Sequence, residues 1–164
     1  MAQLLPADQW LQVVTLAPLV SIDLIVRNAS GEILLGWRSN RPAQHTWFVP
    51  GGVIRKTERL DDAFDRIVFD ELGIHLPTGF QRGQYFQGLY EHHYPDNFAG
   101  VDGVPTHYVV QAHQVSLLDL GIQGETQWIE QLPKAQHTRY CWMTIPQLLA
   151  HVDVHPHVKA YVRA

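Results

Sequence analysis

Apolar and β-branched residues occur in short stretches along the chain, and turn-forming residues separate these stretches. Residues 19–27 and 33–37 are two such stretches that flank the sequence NASGE, so together they predict a β-hairpin. Further strands are predicted at about 82–93, 106–116 and 140–143. Strands interspersed with helices predict an α/β fold with mixed strand pairing.

The clearest helix is predicted over residues 60–72, where apolar residues recur at helical spacing. Gly73 follows at the position where helices commonly end in the left-handed conformation, and Thr57 is a plausible N-cap. Outside these elements the pattern predicts short helices within 6–17 and 145–163 and long connections at 39–52 and 117–139. The chain contains no repeat and no linker-like tract, so we expect a single domain over residues 1–164.

The composition argues against several classes of protein. The 12 Lys and Arg residues against 16 Asp and Glu give a net charge of −4, which disfavours a surface for nucleic acid or for anionic membranes. Cys141 is the single cysteine, so an internal disulfide is excluded. The sequence begins without a signal-peptide pattern and its apolar stretches are too short to span a bilayer, so we expect a cytoplasmic protein.

One acidic residue stands out in the predicted helix. At about 100° per residue, Glu71 falls in the middle of the apolar stripe that Leu60, Phe64, Ile67 and Val68 form. It also lies in the last turn, where the helix dipole disfavours negative charge. Two interpretations are open: the carboxylate reaches water or an arginine at a frayed helix end, or it has a chemical task that involves a cation.

The context of this acid resembles a known signature. Residues 52–74 contain Gly52, then Glu58 after five residues, Arg66 after seven more, and the sequence DELGI at the end. This spacing resembles the Nudix box, a loop-helix-loop of hydrolases that act on nucleoside diphosphates linked to another group. The resemblance implies an αβα sandwich with a mixed β-sheet between helices, and a helix acid that binds Mg²⁺ beside a diphosphate.

The box departs from the usual pattern, because Ile67 stands where a glutamate normally follows the arginine. With one carboxylate fewer, we expect a single Mg²⁺ per active site. This departure, together with segments outside the box, resembles the GDP-mannose mannosyl hydrolases. The segments that carry the likeness are PLVSIDLIV (18–26), GWRSNRPAQHTWFVPGG (36–52), YPDNFAG (94–100), THYVV (106–110) and LPKAQHTRYCW (132–142).

The resemblance implies a metal site and a general base. Mg²⁺ would be held by the Glu71 carboxylate, the Gly51 backbone carbonyl and the Gln136 side chain, an all-oxygen set that suits this hard ion. His137 matches the family's general base and is expected in a mobile loop. A histidine suits this role because its ordinary pKa near 6.5 leaves it neutral yet basic at working pH.

The resemblance also implies residues that contact the substrate. Arg38 would grip the leaving diphosphate, and Tyr108 would donate a hydrogen bond to it. Asp23 and His92 would contact the sugar. Asp23 is predicted in the middle of an apolar strand, where an unpaired carboxylate is costly, and a structural pairing with Arg38 is the competing account.

Three further features each allow more than one role. Relatives usually carry an arginine directly after the paired glycines, where Val53 stands here; Arg55, two positions on, would face the same side if the strand is regular. Trp10 matches a position that stacks on the nucleobase across a homodimer interface, and a core role is equally open. The group His151, Asp153, His155 and His157 lacks a zinc spacing and is predicted as a solvated loop or helix start.

The resulting expectation is Mg²⁺-dependent hydrolysis of a GDP-sugar, GDP-mannose or GDP-glucose, to GDP and free sugar. Water would attack the anomeric carbon with inversion, and the partner would be this small nucleotide sugar, with no nucleic acid and no membrane. Two alternatives stay open at this point. One is a Nudix pyrophosphatase that attacks phosphorus and gives GMP and a sugar 1-phosphate, and the other is an inactive sugar-nucleotide-binding module.

Overall fold

The computed structural model of the protein describes residues 4–163. In this part of the chain, one mixed sheet of seven strands has the order β3-β2-β1-β6-β5, with β4 also paired to β1 and β7 to β2. The strands are β1 (Leu19–Arg27), β2 (Ile33–Arg38), β3 (Trp47–Phe48), β4 (Gly51–Val53), β5 (Phe86–Tyr94), β6 (Thr106–Ser116) and β7 (His137–Met143). The helices are α1 (Ala7–Leu16), α2 (Leu60–Leu72), α3 (Glu125–Glu130), α4 (Ile145–Ala150) and α5 (Pro156–Ala160).

The sheet has a core on each of its faces, which gives the predicted αβα sandwich. Strands β1 and β6 pair in parallel and the other pairs are antiparallel, so the sheet is mixed as expected. On one face, Ile22 and Leu24 of β1 pack with Phe64 and Val68 of α2. On the other face, Ile25 packs in a second cluster that includes residues of α4 and α5. Alternate residues of β1 therefore supply two separate cores.

Helix α2 has the predicted bounds, and Gly73 ends it in the left-handed conformation with φ of 70°. The predicted N-cap is wrong. Arg59 occupies the cap position without a side-chain hydrogen bond, and Thr57 lies in the preceding turn with φ of 69°. Asp61 and Asp62 in the first turn complement the helix dipole instead of a capping hydroxyl.

Two connections predicted from the sequence contain regular structure. The segment 39–52 includes β3 and the start of β4, which pair with β2 and β1 but are too short to show an alternating pattern. The segment 117–139 includes α3, whose Trp128 donates through its indole N–H to the Leu72 carbonyl at 3.2 Å. Six residues do not establish helical periodicity, so packing against α2 decides this helix.

The other predicted elements differ in their ends. The strand expected at 82–93 begins as a 3₁₀ turn at Arg82–Tyr85 and continues as β5 from Phe86. The strand expected at 140–143 begins three residues earlier, at His137. Among the described residues, helices with the length and apolar character needed to cross a membrane are absent.

Candidate active site

A cavity of about 130 Å³ opens beside the centre of the sheet. It is lined by side chains or backbone from strands β1, β2, β4, β5 and β6 and from the loop before β7. Six of the ten residues singled out in the sequence line it: Asp23, Arg38, Gly51, His92, Tyr108 and Gln136. Glu71 reaches the cavity indirectly, through a hydrogen bond to Gln136.

The cavity is lined by a buried carboxylate that accepts a hydrogen bond from a tyrosine. The Tyr161 hydroxyl donates to Asp23 Oδ2 at 2.5 Å, and the hydroxyl oxygen of Tyr161 also lies 3.1 Å from His92 Nε2. Burial raises the pKa of Asp23 to about 7, although the Tyr161 hydrogen bond and the positive charge of Arg38 oppose this rise. Asp23 is therefore held by Tyr161, and the alternative of a structural hydrogen bond to Arg38 is not what the structure contains.

The histidines near the chain's end form the wall behind this carboxylate. The rings of His92 and His157 stack with centroids 4.2 Å apart, and His155 lies against His157 at 4.7 Å. Burial and the two neighbouring histidines lower the pKa of His92 to about 3, so His92 is neutral at physiological pH. His155 is the N-cap of α5, which agrees with the predicted helix start, but it is half-buried and so the expectation of a solvated segment is wrong there.

A second group at the cavity joins an acid, an amide and a guanidinium. Gln136 donates through Nε2 to Glu71 Oε1 at 2.8 Å, and Arg38 Nη1 donates to Gln136 Oε1 at 3.2 Å. The Glu71 side chain is only 7% exposed, and burial raises its pKa to about 7. Glu71 thus lies in the apolar stripe of α2 as the sequence predicted, and it points to the cavity side instead of a frayed end.

These residues fit a divalent cation bound by oxygen ligands. Glu71 is a buried carboxylate whose hydrogen-bond donor is a neutral amide, so its charge lacks full compensation inside the chain. A Cβ atom on Gly51 would overlap Asp23 Oδ1 and come within 2.7 Å of the Ile22 carbonyl oxygen. Only glycine therefore brings its backbone this close to Asp23. The Gln136 amide oxygen faces Arg38, so a rotation of this amide would be needed before it meets a cation beside Glu71.

Arg38 and Tyr108 lie where the sequence analysis expected them, on the cavity wall. The Arg38 Nε is buried and has no hydrogen-bond partner within residues 4–163, which marks a donor free for an anionic ligand. Burial raises the pKa of Tyr108 to about 12, so its hydroxyl remains a hydrogen-bond donor at physiological pH. The geometry suits binding of a phosphate group between these two side chains.

His137 has a different position from the one predicted. It is the first residue of β7 and its side chain is fully buried, so the expectation of a mobile loop is wrong. Its ring packs against Gly36, where a Cβ atom would come as close as 2.8 Å to His137 Cβ and overlap the ring itself. His137 Nδ1 lies 3.6 Å from Glu71 Oε2, and burial lowers the pKa of the ring to about 3.

Arg55 and Trp10 lie away from the cavity lining. Strand β4 ends at Val53, so regular alternation does not carry the side chain of Arg55 to the face of the missing arginine. The Arg55 backbone N–H donates to Glu58 Oε2 at 2.9 Å. Trp10 is half-buried on α1, and its ring contacts that of Phe98 with centroids 6.5 Å apart.

Two further side chains matter that the sequence did not reveal as partners. Tyr161 meets Asp23 across 138 positions of the chain, and a lone tyrosine near the end carries no local signal for this contact. Arg66 donates to both oxygens of Glu58 at 2.6 and 2.9 Å and to the Val53 carbonyl at 2.8 Å. The matched spacing of Glu58 and Arg66 in the box was the available signal for that pair.

The comparison with known proteins identifies the class. A family model described as the NUDIX domain matches residues 17–163. The low-salt glycan biosynthesis protein Agl8 of Haloferax volcanii is 34% identical over 161 residues, which cover 98% of this chain and 90% of that protein. The chain therefore belongs to the Nudix hydrolase family, whose members generally use a divalent metal, usually Mg²⁺.

Solved structures support the same fold. The MutT protein from Methanosarcina mazei Go1 has a TM-score of 0.62 at 18% identity, and the match covers 88% of this chain and 90% of that one. The NUDIX domain of Shewanella oneidensis NrtR, solved as a complex with ADP ribose, has a TM-score of 0.54 at 18% identity and covers 96% and 95% of the two chains. At this level of identity the likeness concerns the fold alone.

Proposed function

We propose that this Nudix protein hydrolyses a GDP-sugar, GDP-mannose or GDP-glucose, to GDP and free sugar. The observation that carries the proposal is the presence of two different sets of side chains at one cavity. One set is Arg38 and Gln136 with the Glu71 carboxylate that Gln136 contacts, and it suits a diphosphate and a cation. The other set is Asp23 and His92, which suit the hydroxyl groups of a sugar. The name of the Haloferax relative, a glycan biosynthesis protein, agrees with a sugar substrate.

In this proposal the chain's residues divide the work on the diphosphate. Arg38 donates from its unpaired Nε to the phosphate oxygens, and Tyr108 donates from its hydroxyl. Glu71, Gln136 and the Gly51 carbonyl would hold a single Mg²⁺. When bound, this ion would neutralise the charge that develops on the leaving diphosphate. A buried Ile67 in place of a box glutamate supports one ion instead of several.

Asp23 and His92 would hold the sugar so that its anomeric carbon faces the attacking water. The Tyr161 hydroxyl keeps one oxygen of Asp23 occupied, which leaves Oδ1 of the same carboxylate to accept from a sugar hydroxyl. His92 is neutral, and the contact between its Nε2 and the Tyr161 hydroxyl holds the ring in position. Orienting the sugar in this way favours displacement with inversion.

We propose His137 as the general base that takes a proton from the attacking water. Its ring nitrogens are both buried without hydrogen bonds within the described chain, which costs free energy and favours a state in which the ring finds polar partners. A movement of the loop before β7 would bring the His137 ring to the cavity, because the neighbouring residue Gln136 already lines it. The proposed base therefore requires the first residue of β7 to separate from Arg38, its partner on β2.

The test is hydrolysis of GDP-mannose with Mg²⁺ in ¹⁸O-labelled water, followed by mass spectrometry of the products. Label in free mannose beside unlabelled GDP supports attack at carbon. Label in GMP or mannose 1-phosphate identifies the alternative, a pyrophosphatase that attacks phosphorus. Binding of GDP-mannose without products identifies a binding module. His137→Gln should lower turnover strongly with little change in GDP-mannose affinity, and His75→Gln, an exposed histidine elsewhere, is the control.

We propose a homodimer in which Trp10 of one copy stacks on the nucleobase bound by the other. The ring of half-buried Trp10 contacts that of the exposed Phe98, and this apolar pair supports a contact surface here. Multi-angle light scattering gives the mass in solution, and Trp10→Ala should raise the KM for the nucleotide sugar. A monomer with unchanged KM in the variant would contradict this assignment. The cytoplasmic location, Arg55 as a substrate contact and the single domain over 1–164 stay predictions from the sequence.

A further inference from the structure

The edge strand β5 and its neighbour β6 carry a second group of metal-ligating side chains on the face opposite the cavity. Along β5 the burial alternates, so His92 and Tyr94 face inward while Glu91 and His93 face outward. His107 of β6 is paired directly with His93 across the two antiparallel strands. Glu91, His93 and His107 therefore share one face at the end of this strand pair.

The ligand atoms of these three residues are close enough to meet a common ion. One ligand atom from each of Glu91, His93 and His107 lies within 4.8 Å of the other two. His107 Nε2 is 3.5 Å from Glu91 Oε1, and the two imidazole rings are 4.2 Å apart between centroids. Ligands on one zinc ion are roughly 3.3 Å apart, so rotation of the exposed Glu91 and His93 side chains toward the half-buried His107 would close the difference.

The state of His107 points to a missing partner. Its Nε2 is buried and has no hydrogen bond within residues 4–163, although the Glu91 carboxylate lies beside it. A buried ring nitrogen without a partner costs free energy, and a metal ion would satisfy it. The site also has no link to the Glu71 cluster, because its side chains project from the opposite face of β5 to the cavity residue His92.

We propose that Glu91, His93 and His107 form a binding site for a transition-metal ion of the zinc class. Two imidazoles and one carboxylate suit Zn²⁺, which accepts nitrogen and oxygen ligands, and do not suit Mg²⁺, which prefers oxygen alone. Three protein ligands leave the remaining position to water. The ion would join the edge strand β5 to β6 at the point where His92, Tyr94 and Tyr108 line the cavity.

The experiment measures binding of Zn²⁺ to the protein in a buffer that contains excess Mg²⁺. Equilibrium dialysis with elemental analysis and isothermal titration provide the measurements. The wild-type protein should bind one equivalent, and Glu71→Gln should bind it equally, because Glu71 belongs to the cavity. His93→Gln and His107→Gln should each weaken binding about tenfold or more. Glu91→Gln should weaken Zn²⁺ binding less than the two histidine variants, because the amide keeps one oxygen that can bind the ion. His75→Gln, an exposed histidine far along the chain, is the matched control and should retain full binding.

A second readout separates a built site from loose association. Zn²⁺ should raise the thermal unfolding temperature of the wild-type protein and of His75→Gln, and this rise should disappear in His107→Gln. Circular dichroism confirms that each variant is folded. The proposal is overturned if the wild type binds no Zn²⁺ beside Mg²⁺, if Glu71→Gln abolishes binding, or if His75→Gln loses as much affinity as His93→Gln.

Discussion

Two acids of the same loop-helix segment have opposite environments. Glu58 accepts two hydrogen bonds from Arg66 and one from the Arg55 backbone N–H, and the Arg66 guanidinium holds the pKa of Glu58 below its usual range. Glu71, thirteen positions on, accepts from the neutral amide of Gln136, and burial raises its pKa to about 7. The chain neutralises the first acid itself and leaves the second for a cation from outside. Glu58 is thus part of an internal ion pair, and Glu71 is the acid that the proposed function assigns to the metal.

Asp23 belongs with Glu71 in this comparison. It is also buried, its hydrogen-bond donor Tyr161 is neutral, and its pKa is also raised to about 7 by burial. Arg38 lies near enough to both acids to lower their pKa values, yet its hydrogen bond goes to Gln136. An arginine that two acids share without either one binding it remains available to an anionic ligand.

The largest expected effect comes from Glu71→Gln. The amide keeps the size of the side chain but removes the charge, so divalent-metal binding and metal-dependent turnover should fall by more than about 100-fold. Activity measured against Mg²⁺ concentration checks this, with Asp70→Asn as the control because Asp70 is exposed and forms an ion pair with Arg66. An unchanged Mg²⁺ dependence would remove Glu71 from the metal site.

The structural acid should instead control stability. Arg66→Met leaves the Glu58 carboxylate, which is 7% exposed, without its guanidinium, so the free energy of unfolding should fall by about 2–4 kcal/mol. Urea denaturation measures the change. Arg82→Met is the control, because its partner Asp65 is 43% exposed and the pair should contribute at most about 1 kcal/mol. Equal losses in the two variants would contradict the contrast.

Tyr161→Phe tests the neutral donor at the other acid. It removes one hydrogen bond from buried Asp23, and the free energy of unfolding should fall by about 1–3 kcal/mol at neutral pH. Tyr90→Phe is the control, because the Tyr90 hydroxyl meets the exposed side chain of Gln87. Urea denaturation is again the measurement, and a neutral Tyr161→Phe would show that Asp23 does not depend on this hydroxyl.

The smallest expected effect is a pH dependence that belongs to Glu58 alone. Because its pKa is lowered in the folded state, its contribution is present above the unfolded-state pKa and is lost as the pH falls through the folded-state pKa. The stability difference between the wild type and Glu58→Gln should therefore be constant from pH 7 to about 5 and shrink below about pH 4.5. Denaturation curves across this range provide the measurement. A difference that grows on acidification would contradict the assignment.

Sequence reasoning succeeded where the determinants are local. The bounds of α2, the left-handed Gly73 and the spacing of the box are properties of a short segment, and all are present in the structure. Six candidate residues that were placed by resemblance do line one cavity. Local signals are sufficient for these features because a helix period and a cap depend on neighbours a few positions away.

Sequence reasoning failed where contacts are distant or elements are short. The contact of Tyr161 with Asp23 joins residues 138 positions apart, and the sequence around Tyr161 contains no pattern that predicts it. His137 was expected in a loop because a strand start has no marker, and its burial depends on the space that Gly36 leaves on a neighbouring strand. Helix α3 was missed because six residues are too few for a period. Tertiary packing decides each of these cases.

Two residues that line the cavity, Asp23 and Gln136, are expected to differ in the rate at which their backbone amides exchange hydrogen. Asp23 lies on a strand that pairs with β2, β4 and β6, so its amide should exchange with solvent deuterium only when much of the sheet opens. Gln136 lies in the loop before β7 and precedes the first paired residue, so its amide should exchange through local opening. Asp23 is thus held in a strand that is paired on both sides, while Gln136 belongs to a loop whose sequence can change with less effect on the sheet. Differences in ligand preference among related chains are therefore expected to accumulate in this loop and not in β1.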